Sequence, residues 1–311
     1  MAGEGASVKV QKSVFGSENE RRLFKTLNSQ WSRDFNLWPQ LPLAAVVGGI
    51  KTSNLTDDEK DFLFKTSVDY TLCTKKDRPL MSIEFDGMGH GFSKDGKYIP
   101  VPLKAVENRK RKLDLKLRVC DQLHYPLLIV SYDEKNRIGA FTTLTIVDGL
   151  IGQVLAYRNL LPTIRKEVNR NPELEFGDVI AGVEYELEVK WDPIAREIHN
   201  ILSKLLDDSL SRNDSRSCEL YRSLFPPQNS TFLTDPPLPQ RLSDRIREWE
   251  NVRRIGCRMT VNVFGRKFEE TVWVRNLQGH GVTPAAIAEN VAHLILIKRV
   301  LSEIGHNFEK S

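Results

Sequence analysis

Ser67-Val-Asp-Tyr-Thr-Leu-Cys73 and Leu80-Met-Ser-Ile-Glu-Phe-Asp-Gly87 are two apolar-alternating runs, joined by the turn-like Lys75-Lys-Asp-Arg78. Side chains alternate faces along a strand. A hairpin here therefore sets Val68, Tyr70 and Leu72 on one side with Met81, Ile83 and Phe85, leaving Asp69, Glu84 and Asp86 on the other. Symmetric closure of the loop places Asp69 opposite Glu84 and Ser67 opposite Asp86. Cross-strand neighbours have Cβ atoms about 5 Å apart, and like charges in that position destabilise a sheet. A divalent cation with hard oxygen ligands is the simplest offset.

Outward from the hairpin, Ser17-Glu-Asn-Glu20 carries the spacing of a capping box and starts a first helix with the apolar stripe Leu23, Phe24 and Leu27. Leu41 to Val47 reads as a strand after Trp38-Pro39, and Asp57 to Lys65 as a polar connector. Gly87 to Pro102 contains Gly87, Gly89, Gly91 and Gly96 around His90, the composition of a flap or loop beside the hairpin. Val106 to Leu123 has helical periodicity, with Leu113, Leu117 and Cys120 as the buried stripe and Arg109, Lys112 and Lys116 on a neighbouring one. From Lys104 to Arg118, seven basic residues stand against two acidic ones, which exceeds the +4 of the whole chain. Pro126-Leu-Leu-Ile-Val-Ser-Tyr132 then suits a central strand covered on both faces. Helix, strand, hairpin, helix and strand together predict a mixed α/β sheet with flanking helices over residues 1–135.

Residues 136–311 read as an α+β region. Thr142 to Val168 is helical in pattern, interrupted by Gly149 and Gly152; Val179 to Lys190 alternates as a strand; Ile194 to Leu206 returns to helical spacing. Asp207 to Pro239 is rich in Ser, Asn, Asp and Pro and reads as a loop or linker. Arg258 to Phe264 and Lys267 to Arg275 form two strands turning at Gly265-Arg266, and Thr283-Pro284 starts a last helix. This region would position substrate or mediate self-association as a homo-oligomer.

With 311 residues, 40% hydrophobic and 28% charged, and no apolar run near the roughly 20 residues that span a bilayer, the chain reads as globular with no membrane role. The first residues lack the basic-then-apolar order of a signal peptide, which sets a cytoplasmic expectation. Cys73, Cys120, Cys218 and Cys257 have neither zinc-site spacing nor the density of a disulfide framework, so free thiols are expected.

Phosphodiester hydrolysis needs an activated water and stabilisation of charge on the phosphate, which carboxylate-held metal ions supply at neutral pH. Asp69, Glu84 and Asp86 are ligands of that kind, and Lys112 and Lys116, one helical turn apart, could hold the phosphate. The same residues also have plainer readings. Asp-Gly is a common turn pair, Glu20 completes a capping box, His90 could be an exposed structural histidine, and a basic helix face is often only a solvated one.

In element order, residues 17–133 resemble the PD-(D/E)XK nuclease superfamily, in particular the branch similar to very-short-patch repair endonucleases and related bacterial domains. The features that carry the resemblance are Glu20 on the first helix, Trp38-Pro-Gln-Leu-Pro-Leu43, Asp69 on a strand, Glu84-Phe-Asp86-Gly87 with the nearby His90, and the basic helix followed by Pro126-Leu-Leu128. The superfamily lysine two residues after Glu84 is replaced here by Asp86, a replacement the branch shares, and the basic role then passes to Lys116 or Lys112. The resemblance implies a restriction-endonuclease-like core. It further implies Mg²⁺ or Mn²⁺ on Asp69, Glu84 and Asp86, and catalysis by these with Lys116, Lys112 and Glu20. His90 is an additional candidate, as general base or metal neighbour. Arg109, Lys110, Lys112 and Lys116 would bind the nucleic acid. DNA is the expected substrate, with RNA a weaker alternative because no cluster of aromatic residues offers a stacking platform. The rival reading is a catalytically inactive, nuclease-derived nucleic-acid-binding or scaffold protein.

Overall fold

The structure, a computed structural model, describes residues 13–48, 55–85, 104–130, 138, 142–171, 173, 175–211, 213–225, 229–239, 252, 254–275 and 282–305; side chains on 104–110 are not described. The described residues fall into two compact units. One ends at residue 130 and the other begins at residue 138.

In the first unit, α1 (Glu18–Trp31) begins at the Ser17 cap and buries Leu23, Leu27 and Trp31. Strand β1 (Asn36–Pro42) follows, then a short helix α2 (Leu43–Val46), α3 (Asp57–Lys65), the hairpin β2 (Ser67–Cys73) and β3 (Pro79–Phe85), helix α4 (Lys104–Gln122) and β4 (Leu127–Val130). The sheet order is β1-β2-β3-β4, antiparallel except for the parallel pair β3 and β4. The result is a four-stranded mixed sheet with flanking helices. Tyr70 on one face donates its hydroxyl to the Glu20 carbonyl of α1 at 2.7 Å, while Glu84 on the other face is met by Lys116 of α4. A core of Leu43, Val46, Leu63, Val119 and Leu127 packs α2, α3 and α4 against the sheet.

Several elements differ from expectation for identifiable reasons. The first strand is Asn36–Pro42, and Leu43–Val46 is helical. Pro39 cannot donate to a ladder, and β1 tolerates it as the outermost of the described strands. Asp57–Lys65 is a helix rather than a connector: Thr56 and Glu59 form a capping box, and three acidic residues sit at its positive N-terminus. The apolar run Leu127–Val130 is buried on both faces, yet it closes the described sheet instead of lying at its centre.

The second unit contains α5 (Ile146–Arg170), α6 (Phe176–Trp191), α7 (Pro193–Ser211), α8 (Ser215–Leu224), strands β5 (Asn229–Asp235), β6 (Arg254–Val263) and β7 (Arg266–Arg275), and α9 (Pro284–Glu303). Its sheet is antiparallel in the order β5-β6-β7. The β6–β7 turn is Phe264-Gly265, with φ of 50° and 75°, the pair of left-handed residues a two-residue hairpin requires. The expected strand at 179–190 is the helix α6. Val179, Val183 and Leu187 are buried at a spacing of four, while the intervening glutamates mimic strand alternation. The expected linker at 207–239 holds the end of α7, all of α8 behind its Asp214 cap, and β5. Among the described residues no helix is long and apolar enough to cross a membrane.

Candidate active site

The hairpin register runs Leu72↔Met81, Thr71↔Ser82, Tyr70↔Ile83. Beyond Tyr70 the strands take different partners: β2 continues against β1 as far as Pro42↔Ser67, and β3 pairs with β4 as far as Phe85↔Val130. Asp69 and Glu84 are the residues next after Tyr70↔Ile83, where the pairing of β2 with β3 ends. The Asp69 carboxylate fills the gap, with Oδ2 accepting the Phe85 backbone N–H at 2.7 Å and Oδ1 accepting Gln40 Nε2 at 3.0 Å.

Gln40 is in the left-handed region at φ 53°, within a strand. Non-glycine residues pay for that conformation, and such strain concentrates at functional sites. Here it interrupts the β1–β2 ladder between Pro39↔Tyr70 and Leu41↔Val68 and turns the amide toward Asp69. Ser67 Oγ donates to Gln40 Oε1 at 2.8 Å, which fixes which end of the amide faces the carboxylate. The reading of the sequence missed Gln40. Its signal is the pair of prolines, Pro39 and Pro42, bracketing a polar residue on the strand beside Asp69.

Lys116 is only 6% exposed, although its sequence places it on a basic helix. Buried Leu113 and Cys120 lie three residues before and four after it, so the lysine rides on the core stripe of α4. Its Nζ donates to Glu84 Oε1 and to the Ser67 carbonyl, both at 2.7 Å. The offset to the two strand carboxylates is therefore a lysine ammonium in this structure. A hydroxyl relay supports the same face: Thr71 Oγ1 and Ser82 Oγ lie 3.0 Å apart, and Ser82 Oγ lies 3.0 Å from the Tyr125 hydroxyl.

Burial raises the Asp69 pKa above its ordinary value; the Phe85 N–H opposes the rise, the Glu20 charge adds to it, and Lys116 and Gln40 oppose it. Burial also drives the Tyr70 hydroxyl well above its usual range, with the charges of Asp69, Glu20 and Glu84 adding to the effect. Glu20 has a structural duty as well: Oε2 accepts the Gly16 N–H at 2.8 Å, and Ser17 Oγ donates to Oε1 at 3.1 Å.

The remaining expected residues separate. Lys112 is exposed, with Nζ 5.9 Å from the Phe62 ring centroid, in a depression lined with it by Asp58, Glu59, Arg111 and Leu115. Arg109 and Lys110 lie on α4, with side chains outside the description. Asp86 and His90 fall outside the described residues. Among the described residues no three His, Cys, Asp or Glu side chains are grouped as a metal cage. Comparisons with protein-family models, curated proteins and solved structures find no match.

Proposed function

We propose that the first unit is the catalytic domain of a metal-dependent endonuclease that hydrolyses DNA. The observation that carries this reading is the convergence of Asp69 and Glu84, from two diverging strands, with the buried Lys116 of the following helix. The order α1-β1-α2-α3-β2-β3-α4-β4, with β3 and β4 parallel, is compatible with the restriction-endonuclease-like core that the PD-(D/E)XK resemblance implies. Lys116 supplies an ammonium beside Glu84 where the sequence has Asp86 in place of the superfamily lysine.

Asp69 and Glu84 offer hard oxygen donors from two elements, a pair suited to Mg²⁺ or Mn²⁺, which commonly bind proteins through one or two carboxylates and keep several waters. Asp86 joins them on the strength of the resemblance. Bound there, the cation would act as a Lewis acid and lower the pKa of a coordinated water. Gln40 and the Phe85 N–H aim the Asp69 carboxylate. The Ser67 carbonyl and Glu84 Oε1 hold Lys116 Nζ between them, and its positive charge would meet a phosphate oxygen brought to Glu84. Arg111, Lys112 and Arg118 on the exposed side of α4 would contact the backbone of the nucleic acid, a term that salt weakens.

The test is cleavage of supercoiled DNA, linear DNA, single-stranded DNA and RNA, with Mg²⁺, Mn²⁺ or chelator, by the full chain and by Asp69→Ala and Glu84→Ala. Metal-dependent DNA cleavage lost in both variants is the expected result. Salt-sensitive binding with every substrate left intact would make this an inert nucleic-acid binder, and cleavage confined to RNA would change the substrate.

A further inference from the structure

The second unit contains a cleft of about 370 Å³ between α6, α7, α8 and α9. That volume is within the range of small-molecule sites, which are mostly apolar with a few convergent polar groups. Its apolar surface comes from Ile198, Leu202 and Leu206, and its aromatic wall from Tyr185, Tyr221 and Phe225.

Two carboxylates and two neutral acceptors face the cleft from α6 and α9. Asn290 commits its Nδ2 to Glu188 Oε1 at 2.7 Å and to Asp192 Oδ2 at 3.5 Å, which leaves Asn290 Oδ1 as an acceptor. His293, 6% exposed, uses Nε2 to reach the Leu224 carbonyl at 2.8 Å; that bond requires the proton on Nε2, so Nδ1 is an acceptor without a partner among the described residues. Burial lowers the His293 pKa, in keeping with the neutral ring. Glu289 lines the cleft and makes no hydrogen bond or ion pair among the described residues, and Glu188 makes only the bond to Asn290. The Tyr185 hydroxyl lies 2.8 Å from His199 Nδ1 and Ser203 Oγ lies 3.4 Å from His199 Nε2, so the neutral ring accepts from one of these hydroxyls and donates to the other. Among the described residues no lysine or arginine lines the cleft, in a chain whose net charge is positive.

A cleft with two carboxylates, two neutral acceptors, an aromatic wall and no cation among its described residues complements a ligand that brings the positive charge. We propose that this cleft binds a small organic cation, a primary amine or guanidinium compound on an apolar body, with its charged group between Glu188 and Glu289 and its body against Tyr221 and Phe225. The site belongs wholly to the second unit, so it stands independently of the nuclease reading.

Calorimetric titration of the full chain with tyramine, agmatine and benzamidine tests it, with 4-hydroxyphenylacetate and 4-ethylphenol as an anionic and a neutral control. The amines or the amidine bind and the controls do not. In Glu289→Gln the affinity for the cation falls about tenfold, the loss of one charge-assisted hydrogen bond. Ligand-free melting temperature stays unchanged in that variant, since the side chain has no polar partner to lose. Absence of binding by all three cations, equal binding of the controls, or undiminished cation binding in Glu289→Gln would each overturn the proposal.

Discussion

Lys116 Nζ lies 2.7 Å from Glu84 Oε1 and donates equally closely to the Ser67 carbonyl, so one helix lysine ties together the parting ends of β2 and β3. Both charges are largely removed from water, with side-chain exposures of 7% and 19%. For such a pair the desolvation cost is offset only while both partners are present. Lys116→Met therefore strands the Glu84 carboxylate and lowers stability by about 3–5 kcal/mol, whereas Glu84→Gln with Lys116→Met recovers most of the loss. Urea denaturation of the two single variants and the double variant measures the coupling. Additive effects would mean that the pair is not formed.

Asp69 gives a pH prediction of definite sign. Its folded-state pKa is raised above 3.8, so the folded chain retains a proton that the unfolded chain has released. Stability is then fully present below pH 3.8 and declines as pH rises from there through the folded value. Asp69→Asn keeps an acceptor for the Phe85 N–H and removes the titration. Its melting temperature relative to the unsubstituted protein rises across that window and then levels. Under the proposed metal site, Mg²⁺ would reverse the ranking above the window by stabilising only the chain that retains the carboxylate. A difference that does not vary with pH would show that Asp69 is not desolvated.

The left-handed backbone at Gln40 separates strain from function. Gln40→Ala and Gln40→Gly both remove the hydrogen bond that favours the ionised carboxylate, and both move the Asp69 titration further upward. Only glycine relieves the backbone, so Gln40→Gly is the more stable of the two by about 1 kcal/mol. Carbon-detected NMR titration of the Asp69 carboxyl and thermal melts of both variants give the two readouts. Equal stabilities would contradict a φ of 53° at this position.

Legibility in the sequence tracked how local the deciding interaction was. The hairpin register from Leu72↔Met81 to Tyr70↔Ile83 follows from alternation and a short turn. The basic helix and the last helix follow from period and caps. The helix α6 was misread because its glutamates alternate with Tyr185, Leu187 and Val189, and only packing shows that Val179, Val183 and Leu187 are the buried set. Lys116 and Lys112 look equivalent in the chain; the choice between them depends on which helix face meets β3, a tertiary fact. Gln40 was invisible for the same reason, since a positive φ in an edge strand leaves no composition signal beyond the two prolines.

Gly149 and Gly152, which interrupt the apolar pattern of α5, predict a graded pair of effects. A Cβ at Gly152 would lie 2.5 Å from Asp192 Cα and 2.8 Å from the Trp191 carbonyl oxygen, both backbone atoms that cannot swing aside. At Gly149 the obstacle is Ile194 Cδ1 at 2.9 Å, the end of a side chain. Gly152→Ala accordingly costs about 3 kcal/mol. Gly149→Ala costs about 1 kcal/mol or less, because better helix propensity offsets a mild repacking. Denaturant midpoints rank the two, and the reverse order would rule out this helix contact.

Asp192, at that same contact, is fully buried, with Oδ1 accepting the Ile194 N–H at 2.8 Å. Burial is the main reason its pKa rises from 3.8 to about 7, with the Glu188 charge adding to the rise and the Ile194 N–H opposing it. The folded-state value exceeds the unfolded one, so the associated stability is present below pH 3.8 and is lost as pH climbs to about 7. Asp192→Asn retains the acceptor for Ile194 without the buried charge. It should match the unsubstituted protein near pH 4 and exceed it by a few kcal/mol above pH 7, the order that a shift of this size implies. Urea denaturation at a series of pH values tests this, and a variant less stable at pH 8 than the unsubstituted chain would show that the ionised carboxylate is held by partners stronger than these.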